Sequence, residues 1–482
     1  MWRCLLLFLL TALARADSVA AVQAARQWRL AHEAEILGEF TALLAIPNIA
    51  GNVPDMLRSA AFIEAMYGRR GVRIERLQGS AGPPALYGEL TVPDARGSVV
   101  FYVHYDGQPV EASRWTVTTP FQPIVRDGRI WARSASDDKA PLMTFAAALD
   151  ALKAGSVSLR RTVKFFFDGE EEAGSPHIAE IIGRHKDRFR ADAWIFCDGP
   201  VHQNRQQQVV FGARGSTAIE ITVFGARREL HSGHYGNWAP NPAMMLAHLL
   251  ASMRDEQTGK VLVQDFYKDV VPLSAAEEQA LAGAPDFDAA LKRELGLAGT
   301  EGDGRRLDQL INLPALNVQG LSSAGVGPQM RNVIPDAATA GIGIRLVKGT
   351  DWRAMQDRVI AHIRSRGYHV VESDPDDSAR LRYPRIAKVT RREGYNAIRA
   401  PMDSPIAGRV VAAVEAARGN VIRLPTLGGS LPIAPIAEIL DVPVIIVPIA
   451  NHDNNQHGHN ENIRLENLWH GIETMAALLA ME

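Results

Sequence analysis

Residues 165–177 read FFFDGEEEAGSPH. Three consecutive phenylalanines fit a strand buried on both faces, because successive side chains point to opposite sides of a sheet. The five positions that follow carry four carboxylates: Asp168, Glu170, Glu171 and Glu172. Like charges at that density repel, and burying them unpaired costs several kcal/mol. Either they are solvated on a loop, or something positive belongs among them.

Other apolar runs end in the same way. SVVFYV (98–103) leads into His104-Tyr105-Asp106, and AWIFC (193–197) into Asp198-Gly199. VPVIIVPI (442–449) precedes Asn451-His452-Asp453 and then His457. Short β-branched and aromatic runs predict buried parallel strands. Helical patterns over 139–153 and 176–187 lie between them. Strands alternating with helices predict a doubly wound α/β sheet, in which ligands bind at the carboxyl ends of the strands. Acids and histidines recur at those ends.

The character changes near 213. STAIEITVFG (216–225) and TAGIGIRLV (339–347) alternate like half-exposed antiparallel strands, and 241–255 has the pattern of an amphipathic helix. We expect an inserted α+β domain over 213–390, with the first domain formed by 17–212 and 391–482.

The chain has 482 residues, 46% of them hydrophobic, enough to bury sizeable cores. Its 52 basic and 54 acidic residues give no basic excess to favour a nucleic-acid partner. MWRCLLLFLLTALARAD at the start follows the plan of a secretory signal peptide over 1–16, with cleavage after Ala14-Arg15-Ala16. This predicts a periplasmic or secreted protein with no stable membrane anchor after cleavage. Cleavage would leave Cys197 as the sole cysteine, with no intramolecular disulfide, and strand geometry predicts that it is a buried structural residue.

Hydrolytic metal sites use imidazole and carboxylate ligands with a position left for water. His104, Asp137, Glu172, Asp198 and His457 are the candidates, and no thiolate is needed, which favours zinc or manganese. Taken singly, each motif has an ordinary explanation: a loop pair, an N-cap, a solvated turn. Together they converge on one end of one sheet.

In order along the chain stand HYDGQPV, W-x4-PF-x5-DG, RSASDDK, EEEAGS, CDG, ELHSG, NVIP, GGSLP and H-x-x-N-E. This set resembles the M20 metallopeptidases, within them the group of carnosine dipeptidase and cytosolic nonspecific dipeptidase. The resemblance implies a zinc-peptidase-like catalytic domain with a mostly parallel sheet, an inserted lid and dimerisation domain, and two divalent ions per chain, zinc the first choice. It implies that His104 and Asp198 bind one metal, Glu172 and His457 the other, and that Asp137 bridges them. Asp106 would steady His104, and Glu171 would be the general base acting on a metal-bridging water. His231 would reach across a homodimer to the oxyanion, with His234 a rival, as His459 is for His457. Arg345 would bind the substrate's terminal carboxylate, beside Asn332, Gly429 and Ser430. The family usually has glycines where Ala132-Arg133-Ser134 and Ala140 stand, so loop geometry could differ.

The expected activity is hydrolysis of dipeptides or short peptides. N-acyl amino-acid deacylation or carboxypeptidase action is the alternative within the family. A non-catalytic peptide-binding homologue would have lost a ligand or the base.

Overall fold

The computed structural model describes residues 2–482, with side chains from Asp17 onward. At its centre is an eight-stranded sheet. Its strands run in the order Arg73–Leu77, Ala85–Leu90, Thr162–Asp168, Ser98–His104, Ala193–Phe196, Val444–Ile446, Gln208–Val210 and Ile422–Leu424. The middle of the sheet is parallel: Ser98–His104 pairs in parallel with both Thr162–Asp168 and Ala193–Phe196, and the latter with Val444–Ile446. In this register His104 lies directly beside Asp168.

The triple phenylalanine behaves as a doubly buried strand must. Phe165 and Phe167 join the core on one face, with Tyr67, Phe101 and Phe145. Phe166 faces the other way, against Phe189, Trp194 and Tyr102. The first face is covered by helices Trp2–Leu44, Lys139–Ala154, Pro405–Arg418 and Leu465–Leu479, the second by Ile178–Arg184 and Ile433–Leu440. Helix Lys139–Ala154 is buried nearly all round, as a helix sandwiched between sheet and outer helices has to be. Cys197 is free and buried at the end of its strand.

Some boundaries differ from expectation. The run at 442–449 yields only Val444–Ile446, because Pro443 and Pro448 flank it and lack the N–H a ladder needs. The helix expected over 176–187 is two pieces, Ile178–Arg184 and Lys186–Phe189, parted at His185. The helix expected over 241–255 ends at Ala251, and Arg254 turns back to bridge Val261.

A second sheet of five strands runs in the order Ala315–Ser322, Ala337–Leu346, Gly215–Phe224, Ile386–Arg391 and His369–Val371. Helices Pro242–Ala251 and Trp352–Ser365 pack on one of its faces around Ile219, Ile221, Ile342 and Ile344. Its outer strand Ala315–Ser322 is exposed from Asn317 onward.

Phe166 is fully buried among aromatic rings, so Phe166→Ala is expected to cost about 3–5 kcal/mol. A lower denaturation midpoint checks this.

Candidate metal centre

His104 closes its strand with its ring fully buried. Its Nε2 lies 2.9 Å from Asp137 Oδ1 and 3.8 Å from Asp198 Oδ2. Asp198 follows the neighbouring strand by two residues, so the parallel register itself brings these groups together. On the other side of Asp137, His457 Nε2 stands 3.1 Å from Oδ2 and 3.2 Å from Glu172 Oε2. The result is two clusters able to hold a cation, His104–Asp137–Asp198 and Asp137–Glu172–His457, which share Asp137.

Asp106 locks two elements at once. Its carboxylate lies 3.3 Å from His104 Nδ1 and accepts the backbone N–H groups of Glu171 and Glu172 at 3.1 and 3.0 Å. Gln108 adds a hydrogen bond to Glu172 Oε2 at 2.7 Å. The acidic turn is thus held by backbone donors, which compensate charge without neutralising the side chains.

The loop carrying Asp137 is organised by Glu461, fully buried and 324 residues away. Its carboxylate accepts from Arg133 Nη1, from Ser136 Oγ and from the backbone N–H of Ser134, Ser136 and Asp137, all at 2.8–3.0 Å. Ser134 stands where the resemblance predicts glycine and takes a left-handed φ of 61°. Its hydroxyl accepts from Asn48 Nδ2. The Asp137-Asp138 peptide is cis. Asp138 makes no side-chain cap for the helix that follows; its Oδ2 accepts instead from the His104 N–H.

The electrostatics are those of acids gathered out of water. Burial, then repulsion from Asp137, pushes both Asp198 and Glu172 up to about 7. Burial also drives Glu171 well above the usual carboxylate range, reinforced by Asp198 and Asp137. For Asp137 burial acts in the same direction, but contact with His104 and His457 outweighs it and holds the carboxyl low. Cations set among these groups reverse the upward shifts. The donor set fits them: Asp137 Oδ2 is buried without a hydrogen-bond donor, although the His457 nitrogen is near.

The remaining expected residues lie apart from these clusters. His231 and Asn332 come together on a short two-stranded ribbon, where the Ser232 N–H donates to the Asn332 carbonyl, and both are exposed. The His231 and His234 rings lie 4.5 Å apart. Among the described residues, no hydrogen bond or ion pair links this ribbon to the metal clusters. Arg345 donates through Nη1 to Ser430 Oγ, next to the exposed Gly429. His459 belongs to neither cluster.

Asp168 and Glu170, for which the sequence leaves a solvated loop as one of two open readings, are buried. Asp168 accepts from Tyr102, Ser175 and the Glu170 N–H, and burial lifts it to about 6. Glu170 contacts His177 at 2.7 Å. They fasten the base of the acidic turn. Glu461 and Gln108 stand inside H-x-x-N-E and HYDGQPV, but their partners lie in other segments of the chain, so the sequence alone does not reveal their roles.

Two His–carboxylate clusters that share one buried aspartate, at the carboxyl edge of an open α/β sheet, are the site of a metal-dependent hydrolase. A family model described as Peptidase family M20/M25/M40 matches residues 100–481. The chain belongs to this family. It is 28% identical over 405 residues to human Beta-Ala-His dipeptidase, covering 82% of this chain and 76% of that protein. It is 23% identical to the Cys-Gly metallodipeptidase dug1 of Schizosaccharomyces pombe, covering 91% and 94%. Among solved structures, the M20 metallo-carboxypeptidase Sso-CP2 from Sulfolobus solfataricus superposes with a TM-score of 0.78 at 24% identity, covering 93% and 99%.

The expected periplasmic or secreted location is corrected here, because the yeast Cys-Gly dipeptidases are cytosolic enzymes. The signal peptide read into 1–16 lies outside the residues whose side chains are described. A short Leu/Ala-rich run satisfies a leader pattern and a helix equally well by composition. No helix among the described residues is long and apolar enough to cross a membrane.

Removing the Glu461 carboxylate strands Arg133 and three backbone donors in a buried site. Glu461→Ala is expected to cost about 3–5 kcal/mol and to lower bound metal. Thermal unfolding and metal analysis of the purified variant check both.

Proposed function

We propose that this M20 peptidase hydrolyses dipeptides, with His104, Asp198 and the shared Asp137 holding one divalent cation and Glu172, His457 and Asp137 the other. The observation that carries this is the pair of His–carboxylate clusters joined through one buried carboxylate, with Glu171 in the same acidic turn as Glu172. Zinc is the first choice and manganese the second, since the donors are imidazole and carboxylate without thiolate. Bound cations supply Lewis-acid polarisation of the peptide carbonyl and acidify water.

The chain's own groups do the rest. Glu171 takes a proton from the attacking water as the oxygen–carbon bond forms, then delivers it to the amine as the carbon–nitrogen bond breaks. A carboxylate held in low dielectric beside other acids has the raised proton affinity this shuttle requires. Asp106 keeps His104 and the Glu171–Glu172 turn in fixed relation. Arg345, Ser430 and Gly429 receive the substrate's carboxyl end, and Asn332 contributes a polar contact.

His231 stabilises the developing oxyanion. Its exposure and its lack of any bond to the clusters fit a residue that serves a second chain. The exposed strand edge Ala315–Ser322 supports a homodimer: Val318, Leu321, Val326 and Met330 lie open along it and in the loop beyond. Bare apolar edges of that kind are normally covered. The lid is then 213–390.

The first test is metal content and hydrolysis on one purified sample, assayed with dipeptides and N-acyl amino acids. About two metals per chain with dipeptide cleavage is expected; deacylation alone moves the function to the alternative. Glu171→Gln is expected to lose at least about 100-fold in kcat while keeping its metal. Retained activity overturns the assignment. Leu321→Asp with Val326→Asp should give monomers in light scattering. Inactive His231→Ala and Glu171→Gln chains, mixed as dimers, should recover activity if His231 acts in trans.

A further inference from the structure

Buried arginines in this protein are paired with acids. Arg133 meets Glu461 at 2.8 Å, Arg70 meets Glu39 and Asp150, and Arg399 meets Glu277 at 2.9 Å. Two half-buried arginines at the join between the sheets, Arg214 and Arg345, break the pattern. Neither Arg214 nor Arg345 makes an ion pair among the described residues. Arg214 donates through Nη2 to the Leu313 carbonyl at 2.6 Å, while its Nε is buried with no acceptor. Arg345 has only the neutral hydroxyl of Ser430.

The backbone places these two guanidinium-bearing residues around one spot. Arg345 lies between Ser216 and Ala315 in the second sheet, and Arg214 and Leu313 each stand two residues before those neighbours. The loop after residue 426 seals the same spot. Leu427 bridges Ala213 and accepts the Arg214 N–H, and three residues on Ser430 meets Arg345. Burial, and then the closeness of Arg345, lowers Arg214 to about 10. Like-charged groups brought together without a counter-ion are unfavourable unless an anion arrives.

We infer that Arg214 is a second carboxylate-binding residue, which with Arg345 makes the subsite select peptides that end in a free carboxylate over those whose carboxyl end is amidated. This rests on the dipeptidase reading above, in which Arg345 faces the substrate's carboxyl end. The ligand class follows from the charge: an anion can accept the idle Nε–H and satisfy both cations at once, whereas a neutral amide leaves them uncompensated.

The test compares alanyl-leucine with its C-terminal amide on metal-loaded wild type, Arg214→Met and Arg214→Lys. Arg214→Met is expected to raise KM for the free acid about tenfold or more, with kcat within about twofold and the amide unaffected. Arg214→Lys should restore part of the preference. Equal losses on both substrates, or no loss on either, overturn the inference and mark Arg214 as a structural tie to Leu313. Calorimetric binding of the same two peptides to metal-loaded Glu171→Gln, with and without Arg214→Met, reads the preference without turnover. If wild type cleaves neither peptide, the dipeptidase reading fails; the binding difference still decides the role of Arg214.

Discussion

The structure turns on a Coulomb problem: several carboxylates gathered at one end of a sheet, out of water, where each raises the energy of the others. Among the described residues, the protein meets it without setting a lysine or an arginine against the candidate ligands. Backbone N–H groups do most of the fixing, on Asp106 and, together with Arg133 and Ser136, on Glu461. Lone pairs stay free, and the charge is left for cations to balance. Even the one buried arginine near the clusters, Arg133, is engaged by Glu461 and not by a candidate ligand.

That constraint explains the packing around it. Parallel register sets His104 between Asp168 and the strand leading to Asp198, so side chains from different strands meet with little loop to order. A doubly buried sheet makes such a platform stiff, and interdigitated aromatic rings at both faces resist small shifts. The Asp137 loop leaves strand Arg129–Trp131, whose pairing with Asn462–Arg464 sets Glu461 beside it, and five hydrogen bonds to that carboxylate cast its shape.

Much of this was legible in the sequence. Apolar runs ending in acids or histidines located the central strands and the site's ends, because buried parallel strands have a composition of their own. FFFDGEEE identified both a strand with two buried faces and the turn carrying Glu171 and Glu172. What escaped has physical causes. Asp168 and Glu170 resemble solvated loop acids by type, and only the tertiary fold reveals Tyr102, Ser175 and His177 around them. Glu461 acts on a loop far back in the chain, a relation no local pattern encodes. Proline at 443 and 448 shortened a strand that hydrophobicity alone extends.

The bond between Glu461 and Asp137 spans 324 residues and bears on the order of events during synthesis. A chain emerging from its N-terminus presents His104, Asp137, Glu172 and Asp198 well before Glu461, which aims the aspartate shared by both clusters. Domains tend to fold as units as they emerge, but this centre cannot be finished with its first half. Under the proposed ligand assignment, metal uptake would be a closing event of biogenesis. A nascent chain carries the acids without the geometry that makes them a selective trap.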